Sequence, residues 1–148
     1  MPTKPLLFKP IKYRNVAYSF SITFPRWWDS YTVVDKTTCS DEPETTISFR
    51  FRYRGRVYDP IVTLIITPFN TAEWHHAYAD SPLVYLGEHE GRTYAYILPE
   101  ELPDAFLRSD KQDYDYQRYG RQIKLLKAMV AQAPLVMKSF AFFPSTSS

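Results

Sequence analysis

Arg50, Arg52 and Arg54 alternate with Phe49, Phe51 and Tyr53 inside the stretch TTISFRFRYRGRVYDPIVTLIIT, residues 45–67. In an extended strand a period of two sends the rings to one face and the guanidinium groups to the other, about 7 Å apart along the chain. Such a comb matches successive anionic groups on a polymer, a phospholipid surface or an acidic partner, because each fork can donate paired hydrogen bonds to an oxyanion. A solvated sheet face, with arginine stems lying flat and their heads in water, gives the same pattern. Trp27 and Trp28, with Tyr31, form a second group. Two adjacent indoles cannot both face inward from an extended segment, so one is left to stack on a sugar ring, a base or a partner side chain, unless the pair plugs the end of a core.

The remaining chemistry-bearing residues are scattered. His75 and His76 are adjacent, so on a helix they point about 100° apart and cannot share a metal as an i, i+4 pair does; one buried and one exposed ring is the expectation. His89 lies in an expected turn between Glu88 and Glu90, with no further ligand indicated. Cys39 is the only cysteine, which rules out an internal disulfide and a cysteine-rich metal site, and nothing near it would lower a thiol pKa. Glu100 and Glu101, between Pro99 and Pro103, can be read with Asp104 as paired carboxylates for acid-base work, as a solvated loop, or as a cation-binding group. Glycine-rich phosphate loops, H-E-x-x-H and G-x-S-x-G are all missing from the sequence.

These side chains have to be held by a chain of 148 residues, long enough for one domain that buries roughly 68–70% of its unfolded surface. Hydrophobic residues make up 45% and charged residues 23%, the balance of a globular protein. The 17% aromatic content rests on 12 Tyr, 10 Phe and 3 Trp, which favour strands and half-wet positions. A formal net charge of +2 is too small to imply a dedicated nucleic-acid binder. Charge is segregated, however: residues 45–58 carry four arginines and no acid, while Glu100, Glu101, Asp104, Asp110, Asp113 and Asp115 gather later.

In chain order, residues 1–12 read as an arm or linker, and residues 13–143 as a single α+β domain. Tyr13 to Pro25 reads as the first core strand, RWWDSY as a turn or single helical turn, and Thr32 to Lys36 as a strand. Residues 45–67 follow as an outer strand and then a central one. Asn70 or Thr71 caps a helix running to Tyr78 or Ala79, with Glu73 completing a capping box. Leu83 to Gly87 and Arg92 to Leu98 make a second hairpin, and Ala105 to Arg108 offers a short helix. Tyr116, Tyr119, Ile123, Leu126 and Val130 mark the buried face of a long helix ended by Pro134, while Arg118, Arg121, Lys124 and Lys127 step along another face. Met137 to Phe143 is expected as a final strand and residues 144–148 as a frayed tail. Hairpin-linked strands with helices gathered late indicate α+β, an antiparallel β-sheet flanked by helices.

The run YRNVAYSFSITFPRWWDSYTVV, the paired strands through VYDPIVTLIIT, a helix beginning TAEW, and YLGEHEGRTYAYILP together resemble the small bacterial domains of unknown function that share the PsbP/Mog1-like α/β/α sandwich. The resemblance covers roughly residues 13–99. It implies that fold, brings no enzyme activity and no cofactor, and favours an exported protein whose leader has been removed over a cytoplasmic one. No run of residues has the ~20 apolar positions of a membrane helix. The expected function is a non-catalytic binding or accessory module, contacting a protein or an anionic macromolecule through Trp27, Trp28, Arg50, Arg52 and Arg54. The alternative is a small-molecule or metal-binding protein with a pocket between sheet and helix involving His75 or His76. A hydrolase built on Cys39 or on Glu100 and Glu101 comes third.

Overall fold

In the computed structural model the described residues are 9–38 and 44–143; Cys39, most of the expected arm and the expected tail lie outside them. The chain is α+β, with two antiparallel sheets and helices. A three-stranded sheet has the order β1 (Ile11–Asn15), β2 (Phe20–Phe24), β8 (Ala141–Phe142). A five-stranded sheet has the order β3 (Thr32–Thr38), β4 (Thr45–Tyr53), β5 (Arg56–Thr67), β7 (Arg92–Ile97), β6 (Val84–His89). Two α-helices, α1 (Thr71–Tyr78) and α2 (Tyr116–Met137), and two 3-10 turns, Arg26–Tyr31 and Asp104–Phe106, complete it.

The expected first strand is a hairpin. Asn15 Oδ1 accepts the Tyr18 N–H at 2.9 Å, and Ser19 takes a positive φ of 59°, so the chain reverses over residues 16–19. Side-chain oxygens that capture a backbone N–H three positions on make such reversals. Only Phe20, Ile22 and Phe24 then keep the alternating buried pattern, and β1 starts at Ile11, inside the expected arm.

β5 is the central strand, as expected, but β4 is interior rather than outer. β3 pairs with it from Thr32↔Phe51 to Thr38↔Thr45 and takes the edge. Alternation reports which faces of a strand are covered and is silent about its edges. On one face of this sheet Ile47, Phe49, Val62, Leu64, Ile66, Tyr94 and Tyr96 are buried. Against them pack Phe20, Ile22 and Phe24 of β2, Trp28, and the Ile123, Leu126, Met129, Ala133, Val136 and Met137 stripe of α2. Each such aliphatic or aromatic side chain, fully buried, is worth roughly 1.5–3 kcal/mol.

The opposite face carries α1. Its start is the expected capping box: Asn70 Oδ1 accepts the Glu73 N–H and Glu73 Oε1 accepts the Asn70 N–H, each at 2.8 Å. Trp74 packs on Tyr85, ring centroids 4.9 Å apart. Glu88 of β6 accepts from both the Thr71 hydroxyl and the Thr71 N–H at 2.7 Å, and these two bonds, the hydroxyl's first, hold its carboxyl below the usual pKa.

α2 differs from expectation at its end. Pro134 lies inside it, and the helix continues to Met137. The ring removes the hydrogen bond toward Val130, but burial of Val136 and Met137 keeps the last turn in place. Met137 therefore belongs to the helix, and the final strand shrinks to Ala141–Phe142.

Candidate functional site

Arg50 and Arg52 of β4 and Arg54 of the turn that follows are dispersed by the hairpin they sit on. Arg50 donates from Nε to the Tyr58 carbonyl at 2.8 Å and pairs with Asp35 at 3.3 Å. Ladder irregularities on both sides of it break the even spacing of the comb. Arg52 reaches the Asp29 carbonyl from Nη2 at 3.5 Å. Arg54 lies beyond the strand, in the β4–β5 turn, with φ 50° next to Gly55 at φ 82°. Arg56 leaves the same turn and lies over Tyr58, 5.0 Å from its ring centroid.

The tryptophans close the core. Trp28 is 0% exposed and donates from Nε1 to Gln132 Oε1 of α2 at 3.0 Å. Trp27 is half-buried, edge-on to Trp28 and Tyr31 at 6.5 and 6.2 Å. A 3-10 turn rather than an extended segment carries them, which is how both rings come to pack inward.

Arg54 instead belongs to a groove that the β4–β5 turn forms with the first half of α2. Its walls are Tyr53 and Arg54 on one side and Gln117, Arg118, Gly120, Arg121, Gln122 and Lys124 on the other, around about 510 Å³. Asp115 caps the helix, accepting the Arg118 N–H at 3.0 Å. The axis then kinks at Tyr119, with φ −116° and ψ 20°. A side chain at Gly120 would meet nothing within 4 Å, so the helix wall is open there. Four cations and no carboxylate line the groove, and none of the four forms an ion pair among the described residues.

The aromatic rings beside these cations are half-buried. Tyr53 stacks on Tyr31 at 6.2 Å and 14° and lies under the Arg54 guanidinium at 5.4 Å. Tyr119 lies under Arg118 at 5.4 Å and packs on Phe106 at 5.1 Å. The row Arg118, Arg121, Lys124 is visible in the sequence as a step of three, but its convergence with Arg54 depends on α2 crossing the end of the β4–β5 hairpin. Lys127 leaves the row and lines a separate cleft with Glu100, Glu101 and Leu102.

The histidines depart from expectation. His75 and His76 are both exposed, because Trp74 takes the single buried position of the short helix. His89 ends β6 rather than sitting in the turn, and its ring stacks on Phe142 at 4.6 Å and 10°. Glu100, Glu101 and Asp104 border a shallow cleft with Lys111 and Lys127. Among the described residues no three His, Cys, Asp or Glu side chains gather to hold a metal ion, and no helix is long and apolar enough to cross a membrane. Set against family models, curated proteins and solved structures, the chain matches none of them.

Proposed function

We propose that the protein is a binding module without a catalytic role, which holds an anionic partner in the groove between the β4–β5 turn and the first half of α2. The observation that carries this is the convergence of Arg54, Arg118, Arg121 and Lys124 on one concavity with no acid among them. In a chain of net charge +2, four cations without an ion-pair partner among the described residues, lining one concavity from two sides, focus a positive potential there. The contact set thus shifts from the strand comb to the hairpin turn and the helix: Arg54 stays, Arg50 and Arg52 brace β4, and Trp27 and Trp28 hold the core. The five-stranded antiparallel sheet with a helix on each face has the sandwich-like architecture that the resemblance to the PsbP/Mog1-like domains implies.

The test is binding of fluorescein-labelled heparin, followed by anisotropy, to the wild type and to Arg118→Ser/Arg121→Ser. Charge-driven binding weakens as salt shortens the Debye length from roughly 14 Å near 0.05 M to 8 Å at 0.15 M. The double variant should bind at least tenfold more weakly. Equal binding by the two proteins would remove the groove as the contact surface.

A further inference from the structure

Resting on the groove as the binding surface, we infer that the chemistry it recognises is closely spaced phosphoryl groups, as in a polyphosphate chain or a multiply phosphorylated lipid headgroup. The cations approach from two walls. Arg121 and Lys124 are three positions apart beyond the kink at Tyr119, so that step rises about 4.5 Å along α2 and turns about 60° around it, while Arg118 stands before the kink. Their heads fan over a curved surface, with Arg54 opposite on the hairpin turn. A carboxylate is planar and presents two oxygens, whereas a terminal phosphoryl group presents three in a tetrahedral array and accepts from donors spread in this way. Three of the four cations are arginines, whose forks suit phosphate bidentately.

What the groove lacks narrows the ligand further. The half-buried rings of Tyr53 and Tyr119 each have a guanidinium over one face and an aromatic neighbour beside them, so a nucleobase or sugar has to displace an arginine to stack there, unlike the open platforms that single-stranded nucleic-acid grooves depend on. No carboxylate lines the walls to repel a group carrying about two negative charges. The amides of Gln117 and Gln122 add neutral donors. A volume of about 510 Å³ holds a few phosphoryl groups.

The experiment is isothermal titration calorimetry of the full chain with sodium tripolyphosphate, and with citrate as a carboxylate trianion. Tripolyphosphate should bind at least tenfold more tightly than citrate. Its binding should fall at least tenfold in Arg118→Ser/Arg121→Ser and less in Arg118→Lys/Arg121→Lys, which keeps the charge, loses the forks, and preserves the test should the serine variant fail to fold. Lys127→Ser, which removes a charge from the same helix outside the groove, should leave it unchanged. Equal affinity for citrate overturns the phosphoryl inference and leaves the groove standing. So does heparin binding that depends on Arg118 and Arg121 with no binding of tripolyphosphate. Tripolyphosphate binding that survives both double variants overturns inference and groove together. Among supporting outcomes, capture by phosphatidylcholine vesicles containing phosphatidylinositol 4,5-bisphosphate assigns the phosphates to a lipid headgroup; tripolyphosphate binding without vesicle capture assigns them to a soluble chain.

Discussion

Arg50 and Arg54 sit four positions apart on one hairpin and do opposite things. The first spends its donors on Asp35 and the Tyr58 carbonyl; the second is carried by the turn toward α2 and joins three other cations. Their residue type was legible in the sequence and their partners were not, since Asp35 and the helix arginines are brought up by other strands and by the long helix. Trp28 is similar: its partner Gln132 is 104 positions away, a distance at which no local pattern speaks. Thr32 makes the energetic point. Its Oγ1 is buried with no hydrogen-bond partner among the described residues, and an unpaired buried hydroxyl costs about 1–3 kcal/mol. Thr32→Val keeps the shape and the β-branching, so it should stabilise the fold by about 1 kcal/mol in urea denaturation. A loss of stability instead would mean that the hydroxyl is satisfied.

Local signals predicted elements well where capping and burial agree. The Asn70–Glu73 capping box is in place because it is decided within one turn, whereas the expected stripe of α2 is buried at Ile123 and Leu126 only: Tyr116 is 50% exposed, Tyr119 and Val130 are half-buried, and Met129 and Ala133 complete the core face. Pro134 shows the limit, since a helix-breaking ring was outweighed by two side chains that tertiary packing buries behind it. The β1–β2 hairpin was hidden for a related reason: Asn15 and Ser19 sit inside an otherwise good alternation. Docking of α1 onto β6 carries a pH dependence whose sign follows from Glu88. Its folded pKa is lowered by the Thr71 bonds, so its contribution is complete above the unfolded carboxylate value of about 4.3 and is lost as pH falls through the folded value. Glu88→Gln should therefore lower the melting temperature at pH 7 by more than at pH 3, read by circular dichroism at both. An equal drop at the two pH values would disconnect the carboxylate from the latch.

At the scale of the molecule, the α+β class and the central position of β5 were both readable, because they depend on the order and patterning of strands. The division into two sheets was not, since the β1–β2 hairpin that founds the smaller sheet reads as one strand and its third strand comes from a distant pairing. β2 lies between β1, its neighbour in sequence, and β8, which meets it at Phe20↔Phe142 and Ser21↔Ala141. The Thr23 N–H donates to Ser139 Oγ at 2.8 Å and the Phe143 N–H to the Ser19 carbonyl at 2.9 Å. Phe142 is clasped between His89 and Tyr94, at ring-centroid distances of 4.6 and 4.9 Å. A contact that closes a loop of more than a hundred residues yields its gain only after a large entropic cost. The hairpins β3–β4–β5 and β6–β7, whose partners are adjacent in sequence, can form beforehand. Phe142 is half-buried, so Phe142→Ala should cost about 2 kcal/mol, less than the roughly 3–5 kcal/mol of a core phenylalanine, and is accordingly expected to speed unfolding by more than tenfold while leaving the refolding rate within about twofold in stopped-flow fluorescence. The residues around Phe142 would then act as a clasp on an already folded body, and the time the protein stays folded would be set there rather than in the five-stranded sheet.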